Sequence, residues 1–341
     1  KWALKVNKTP RIRIGNQSAF SSVTVIEPFE FAVAHGFDAF EWFPDKKESG
    51  EGWEESDMDA ERRRFIRDTA LEHDIRLSVH APWHLNPLLP NGQKRILESL
   101  AFAEDVGASL LIIHLYMDQG IDAYVRGIAP FITPLAQAGI RLAIENTPLI
   151  NPDDVNGFFS RLEALEPSAA GQVGMCLDLG HANLCRATCN DYLRFIDLLG
   201  PQVCIIHVHL HENYGDDDSH LPLFTGPAGQ DASGIKGFVS RMKKRGFSGC
   251  MILENWPEPS SLLTEARKKL LNMFGHSPGP PVSSNKTWNG FSDRIAEADR
   301  RCQSWREKLG LIHDLFAHNR PDLSVDELAY IAIYLRFIGT G

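Results

Sequence analysis

Apolar residues along the chain fall into eight short runs, separated by stretches of helical period. The runs are RIRIG (11–15), AFEWF (39–43), RLSVH (76–80), SLLIIHL (109–115), RLAIE (141–145), VGMCLD (173–178), VCIIHVH (203–209) and GCMILEN (249–255). Their near-continuous apolar character suits strands buried on both faces of a parallel sheet. Between them, stretches such as 56–74, 91–108 and 235–247 read as helices. Gly36, Gly107, Gly139, Gly200 and Gly246 stand shortly before the next run, where helices commonly end. Eight strand-then-helix units in series predict an α/β fold, a closed (β/α)8 TIM barrel of about 250 residues. An eighth helix at 260–274 completes it. A doubly wound open sheet competes, but no Gly-rich fingerprint follows the first run.

The pattern places the barrel at residues 1–275 and a Pro/Gly/Ser-rich linker at 276–290. Residues 291–341 then predict a helical hairpin extension. Ile295, Ala298, Cys302, Trp305, Leu309, Ile312 and Phe316 step by three and four, and Ser324 with Glu327 forms a capping-box pattern. Such a stripe packs on the barrel or pairs two copies of the chain into a homo-oligomer.

Composition narrows the function classes. Formal net charge is −9 over 341 residues, which disfavours nucleic acid or an anionic membrane surface as partner. No run of about 18 apolar residues predicts a membrane span. The first residues lack the apolar core of a signal peptide. The six cysteines include no CxxC pair, so a thiolate zinc site is not expected and a reducing cytoplasmic setting is. Cys176, Cys204 and Cys250 lie in apolar runs and are expected to act as small hydrophobes.

The chemistry collects at the ends of the runs, where barrels of this kind build their sites. His80, His114, Glu145, Asp178, His209 and Glu254 end six successive runs. His181 follows in GHAN, and Asp218 and His220 follow in DDDSH. Singly, each has a plain structural explanation. Together, four carboxylates converging on one mouth would repel one another without a cation. Imidazole and carboxylate donors suit Zn, Mn, Fe or Co. The densest stretch is IIHVHLHENYGDDDSH at 205–220. There His207 shares a strand face with His209 one layer deeper, as a structural residue, while His211 and Glu212 are candidate substrate contacts. Trp42 and Trp83 are expected near the mouth, offering aromatic faces to a sugar ring.

The ordered set VHAPW, IIHLY, AIENTP, CLDLGHAN, HVHLHEN, DDDSH and ILEN resembles the xylose isomerase-like TIM-barrel superfamily, also described as AP endonuclease family 2. That superfamily groups endonuclease IV with sugar and sugar-phosphate isomerases and epimerases. The isomerase branch implies one divalent metal on Glu145, Asp178, His209 and Glu254. The endonuclease branch implies up to three zinc ions, adding His80, His114, His181, Asp218 and His220. The chain departs from the endonuclease branch after the second run. Residues 44–59 carry seven acidic side chains against two lysines, which would repel a phosphate backbone.

Two enzymatic readings follow from the resemblance. In the first, a metal-dependent isomerase or epimerase acts on a sugar-like small molecule. Glu145 and Glu254 exchange protons with the substrate, the metal stabilises an enediolate, and His181 binds a hydroxyl. In the alternative, a di- or trinuclear zinc hydrolase acts on a phosphate ester or related bond. A non-enzymatic metal- or partner-binding module is the third and weakest reading.

Overall fold

The computed structural model describes residues 12–276, apart from 20, 23, 47–51 and 170. Eight parallel strands close into a barrel: β1 (Arg13–Gln17), β2 (Ala39–Trp42), β3 (Arg76–His80), β4 (Leu110–His114), β5 (Arg141–Glu145), β6 (Val173–Asp178), β7 (Ile205–Leu210) and β8 (Cys250–Leu253). Each strand pairs with the next in sequence, and β8 returns to pair with β1. The expected runs and the observed strands differ by a residue or two at their ends. The expected linker and helical hairpin lie outside the described residues, save His276.

Helices fill the intervals, and local chemistry sets their ends. Asp59 caps the helix Ala60–Glu72 by accepting from the Arg62 N–H at 2.7 Å. Asn151 and Asp154 form a reciprocal capping box at the start of the helix Pro152–Leu165. Each satisfies N–H groups that an α-helix leaves orphaned.

Strand alternation divides the apolar residues between two surfaces. Phe40, Trp42, Val79, Ile113, Ile144, Leu177, Val208 and Met251 join one large core with helix residues such as Phe29, Phe102, Phe158 and Phe238. These strand side chains face outward, onto the helices. Their neighbours point inward and form only small apolar groups, among them Ala39, Cys250 and Ile252, and Leu110, Ile112, Ala143 and Cys176. The barrel interior is therefore lean in apolar bulk, and its remaining inward positions are polar. At Gly15 strands approach too closely for a side chain, since a Cβ there would lie 2.2 Å from the Ala39 carbonyl oxygen. Cys176 and Cys250 are buried as expected, whereas Cys204 precedes β7 and is exposed.

Candidate metal centre

Inward alternation carries a column of polar residues to the C-terminal mouth. His80 ends β3, His114 ends β4, Glu145 ends β5 and Asp178 ends β6. His209 lies one residue before the end of β7, and Glu254 directly follows β8. Register aligns them: His114 is opposite Glu145, and Asp178 is opposite His209. Asp178 also caps the short helix Leu179–Leu184, accepting from the His181 N–H at 2.6 Å, which fixes His181 over the mouth. An antiparallel bridge between Glu212 and Leu221 folds the loop after β7 back, bringing Asp218 and His220 to the same place.

Glu145 lies at the centre. Its Oε2 is 2.9 Å from His80 Nε2 and 3.3 Å from His209 Nδ1. Its Oε1 is 3.5 Å from His114 Nε2 and 3.3 Å from His181 Nδ1. His209 Nδ1 also faces Glu254 Oε1 at 3.6 Å and Asp178 Oδ2 at 3.9 Å. Asp218 Oδ2 lies 3.1 Å from His181 Nε2 and 3.4 Å from His220 Nε2. All nine residues expected from sequence are thus assembled in one cluster.

The donor chemistry fits cations. Four histidines set Nδ1 against a backbone carbonyl: His80 on Ala81, His114 on Trp83 at 3.0 Å, His181 on Asn146 at 2.8 Å and His220 on Glu254 at 3.0 Å. A carbonyl only accepts, so each Nδ1 carries the proton and donates. In a neutral ring Nε2 is then a lone pair, and all four Nε2 atoms face carboxylate oxygens. Acceptor against acceptor is repulsive unless a proton or a metal ion lies between. Buried atoms without a hydrogen-bond partner include Glu145 Oε1, His209 Nδ1 and Glu254 Oε2. Donors held at about 2.1 Å from a tetrahedral ion sit about 3.4 Å apart. The separations of 3.3–3.9 Å around His209 Nδ1 match that spacing.

Without metal, protons take the cations' part. Burial opposes charge on His181, but Asp178, Asp218 and Glu145 beside it prevail and hold it well above the ordinary histidine range. The same contest raises His220 to about 9, mainly through its hydrogen bond to Asp218. Burial would lift Glu145, yet His209, His114 and His80 pull it well below the usual carboxylate range. Glu254 goes the other way: burial dominates and raises it despite His209 and His220.

The candidate substrate contacts divide. Trp83 is exposed, and its carbonyl accepts from Tyr116 Oη and His114 Nδ1, tying its loop to the cluster. Trp42 corrects the expectation. It is fully buried and packs its ring on Phe29, Phe40 and Trp53, because alternation turns position 42 outward to the helices. Glu212 is committed to its own loop. Its carboxylate accepts from the Phe224 N–H and from the Ala228 N–H at 2.8 Å, holding the loop after β7. His211 is buried inside the cluster, with Nε2 3.2 Å from Asp178 and its ring stacked on His220 at 3.8 Å.

His207 lies one layer deeper, as expected. Its partner, Glu41, was not singled out in the sequence, yet it is fully buried on the inner face of β2 and lies within 2.9 Å of both His207 Nε2 and His209 Nε2. A carboxylate interrupting an apolar strand, at the parity opposite Phe40 and Trp42, was the available signal.

The family profile described as Xylose isomerase-like TIM barrel matches residues 29–274. The uncharacterized protein MJ1311 of Methanocaldococcus jannaschii is 25% identical over 211 residues, covering 56% of this chain and 68% of its own. A probable endonuclease 4 of Aquifex aeolicus is 22% identical over 250 residues, covering 67% of this chain and 86% of its own. Among solved structures, a D-tagatose 3-epimerase-like protein superposes with a TM-score of 0.59 at 22% identity, over 77% of this chain and 98% of its own. At that identity the likeness establishes the fold.

Proposed function

The chain belongs to the xylose isomerase-like TIM-barrel family, and within it we propose a multinuclear metal-dependent hydrolase that cleaves a phosphate ester or related bond in a small molecule. The observation that carries this reading is the state of Glu145. Both of its oxygens are shared among four imidazoles, and it is 1% exposed. A carboxylate so enclosed would suit the role of a ligand shared between cations better than that of a base. A proton shuttle needs an oxygen free to reach a substrate carbon.

His80, His114 and Glu145 would hold one divalent ion, and Glu145, Asp178, His209 and Glu254 a second. His181, Asp218 and His220 would hold a third. Bound ions supply Lewis acidity and lower the pKa of water at the site. Glu254 is the carboxyl suited to take up or release a proton, because burial raises it and its Oε2 has no hydrogen-bond partner. Trp83 offers an aromatic face to the non-reacting part of the substrate. Four carboxylates against three dications leave the centre cationic, which suits a phosphate. Against one dication they leave it anionic.

One observation favours the isomerase reading. Among the described residues, the ion pairs of the cluster join only histidines and carboxylates, with no Lys or Arg among them. An uncharged polyol needs none. Incubating the metal-loaded protein with a panel of sugar phosphates in D2O separates the two. The hydrolase reading expects release of inorganic phosphate with the substrate's C–H positions unexchanged. Deuterium entering at carbon alpha to a carbonyl, without phosphate release, would overturn it in favour of the isomerase.

A further inference from the structure

Beneath the nine mouth residues lies a second polar layer that the reaction does not touch. Glu41 is at its centre, fully buried among the inward side chains of the barrel. Ser78 Oγ donates to Glu41 Oε2 at 2.7 Å, and His207 Nε2 meets the same oxygen at 2.9 Å. Those two partners hold Oε2. The other oxygen, Oε1, lies 2.9 Å from His209 Nε2, at ion-pair distance though off the hydrogen-bond line. Placing a carboxylate this deep costs several kcal/mol of solvation. The groups that offset this cost are His209 and His207, one at each oxygen.

When a cation takes Nδ1, the ring's single proton is left on Nε2, the nitrogen 2.9 Å from Glu41 Oε1, which can only accept. The opposite nitrogen, Nδ1, then presents a lone pair to the space shared with Glu145, Glu254 and Asp178. We propose that Glu41 is a positioning residue, braced by Ser78 and His207, that fixes His209 as the Nε2–H tautomer and strengthens Nδ1 as a metal donor. This rests on the metal-centre reading above. The negative charge of Glu41 would also raise the basicity of the ring toward a bound ion, as carboxylates behind metal-bound imidazoles do. Cys176 is the other polar neighbour of His209, and burial keeps its thiol neutral.

The test is zinc affinity, read by chelator competition on the full chain. Glu41→Gln keeps volume and removes charge, and is expected to weaken one ion by about 10- to 100-fold. Cys176→Ser is expected to bind as wild type does. Nitrogen-15 NMR of histidine-labelled, zinc-loaded wild type needs no variant to fold, and is expected to show His209 protonated at Nε2 and metal-bound at Nδ1. The opposite tautomer, or unchanged affinity in folded Glu41→Gln, would overturn the proposal. The underlying reading has its own control. If His209→Ala leaves the metal content unchanged, the metal centre itself falls. If His209→Ala loses an ion while Glu41→Gln binds normally, only the role of Glu41 falls.

Discussion

Metal affinity at the Asp218 group should rise steeply with pH well above neutrality, and His220 sets how far. Its Nδ1 is committed to the Glu254 carbonyl at 3.0 Å, so the nitrogen left for a metal is Nε2, 3.4 Å from Asp218 Oδ2. In the metal-free protein that nitrogen binds a proton, with the ring's pKa raised to about 9. The sign follows directly. A cation and a proton compete for one lone pair, so every condition that strips the proton favours the metal. At pH 7 a group titrating near 9 is about 1% free, and at pH 9 about half free, so apparent affinity gains at most about fiftyfold over those two units. The His220 side chain is 37% exposed, and solvent screening trims the effect. The expected gain from pH 7 to 9 is therefore between about ten- and fiftyfold. An unperturbed histidine would already be level by pH 7.5. Cobalt(II) affinity, measured by calorimetry at pH 6, 7, 8 and 9 in two buffers, gives both the affinity and the protons released. In the metal-free Asp218→Asn variant, the titration of the His220 ring itself, followed by NMR, should move back toward the ordinary histidine range. Affinity that is flat, or falls, between pH 7 and 9 would refute the reasoning.

Two substitutions probe the rest of the framework. Trp42→Ala removes a fully buried ring from the outer core and should cost about 3–5 kcal/mol, lowering the melting temperature by roughly 6–20 °C while leaving metal content unchanged; lost metal with an unchanged melting point would return Trp42 to the site. Gly180→Ala gains about 1 kcal/mol of helix propensity, but its Cβ would meet His211 Cε1 at 2.0 Å, and that ring is stacked on His220. The clash outweighs the propensity, so titration should show weakened metal binding at the Asp218 group, and normal binding would show that the His211–His220 stack is dispensable.

Much of the barrel was legible because its strands repeat one physical instruction. A short apolar run ending in an acid or a histidine occurs six times in succession, and each end arrives at the same mouth. The positions of His80, Glu145, Asp178 and His209 follow from that pattern alone. What the pattern hid was parity within a strand. In AFEWF, inward and outward residues alternate, and only closure of the sheet decides which set faces the barrel axis. Trp42 therefore went to the helices and Glu41 to the interior. The role of Glu212 is hidden for a different reason. Its partners, Phe224 and Ala228, are 12 and 16 residues away, in a loop whose fold no local pattern describes. His211 was placed at the right end of β7, but the close approach over Gly180 that buries it is a tertiary contact.

The central claim is that the cluster holds several ions rather than one. Elemental analysis of the reconstituted chain, after removal of loosely bound metal, tests it most directly when wild type is measured beside Asp218→Asn. The account predicts three divalent ions per wild-type chain and two in the variant. One ion in both would contradict it.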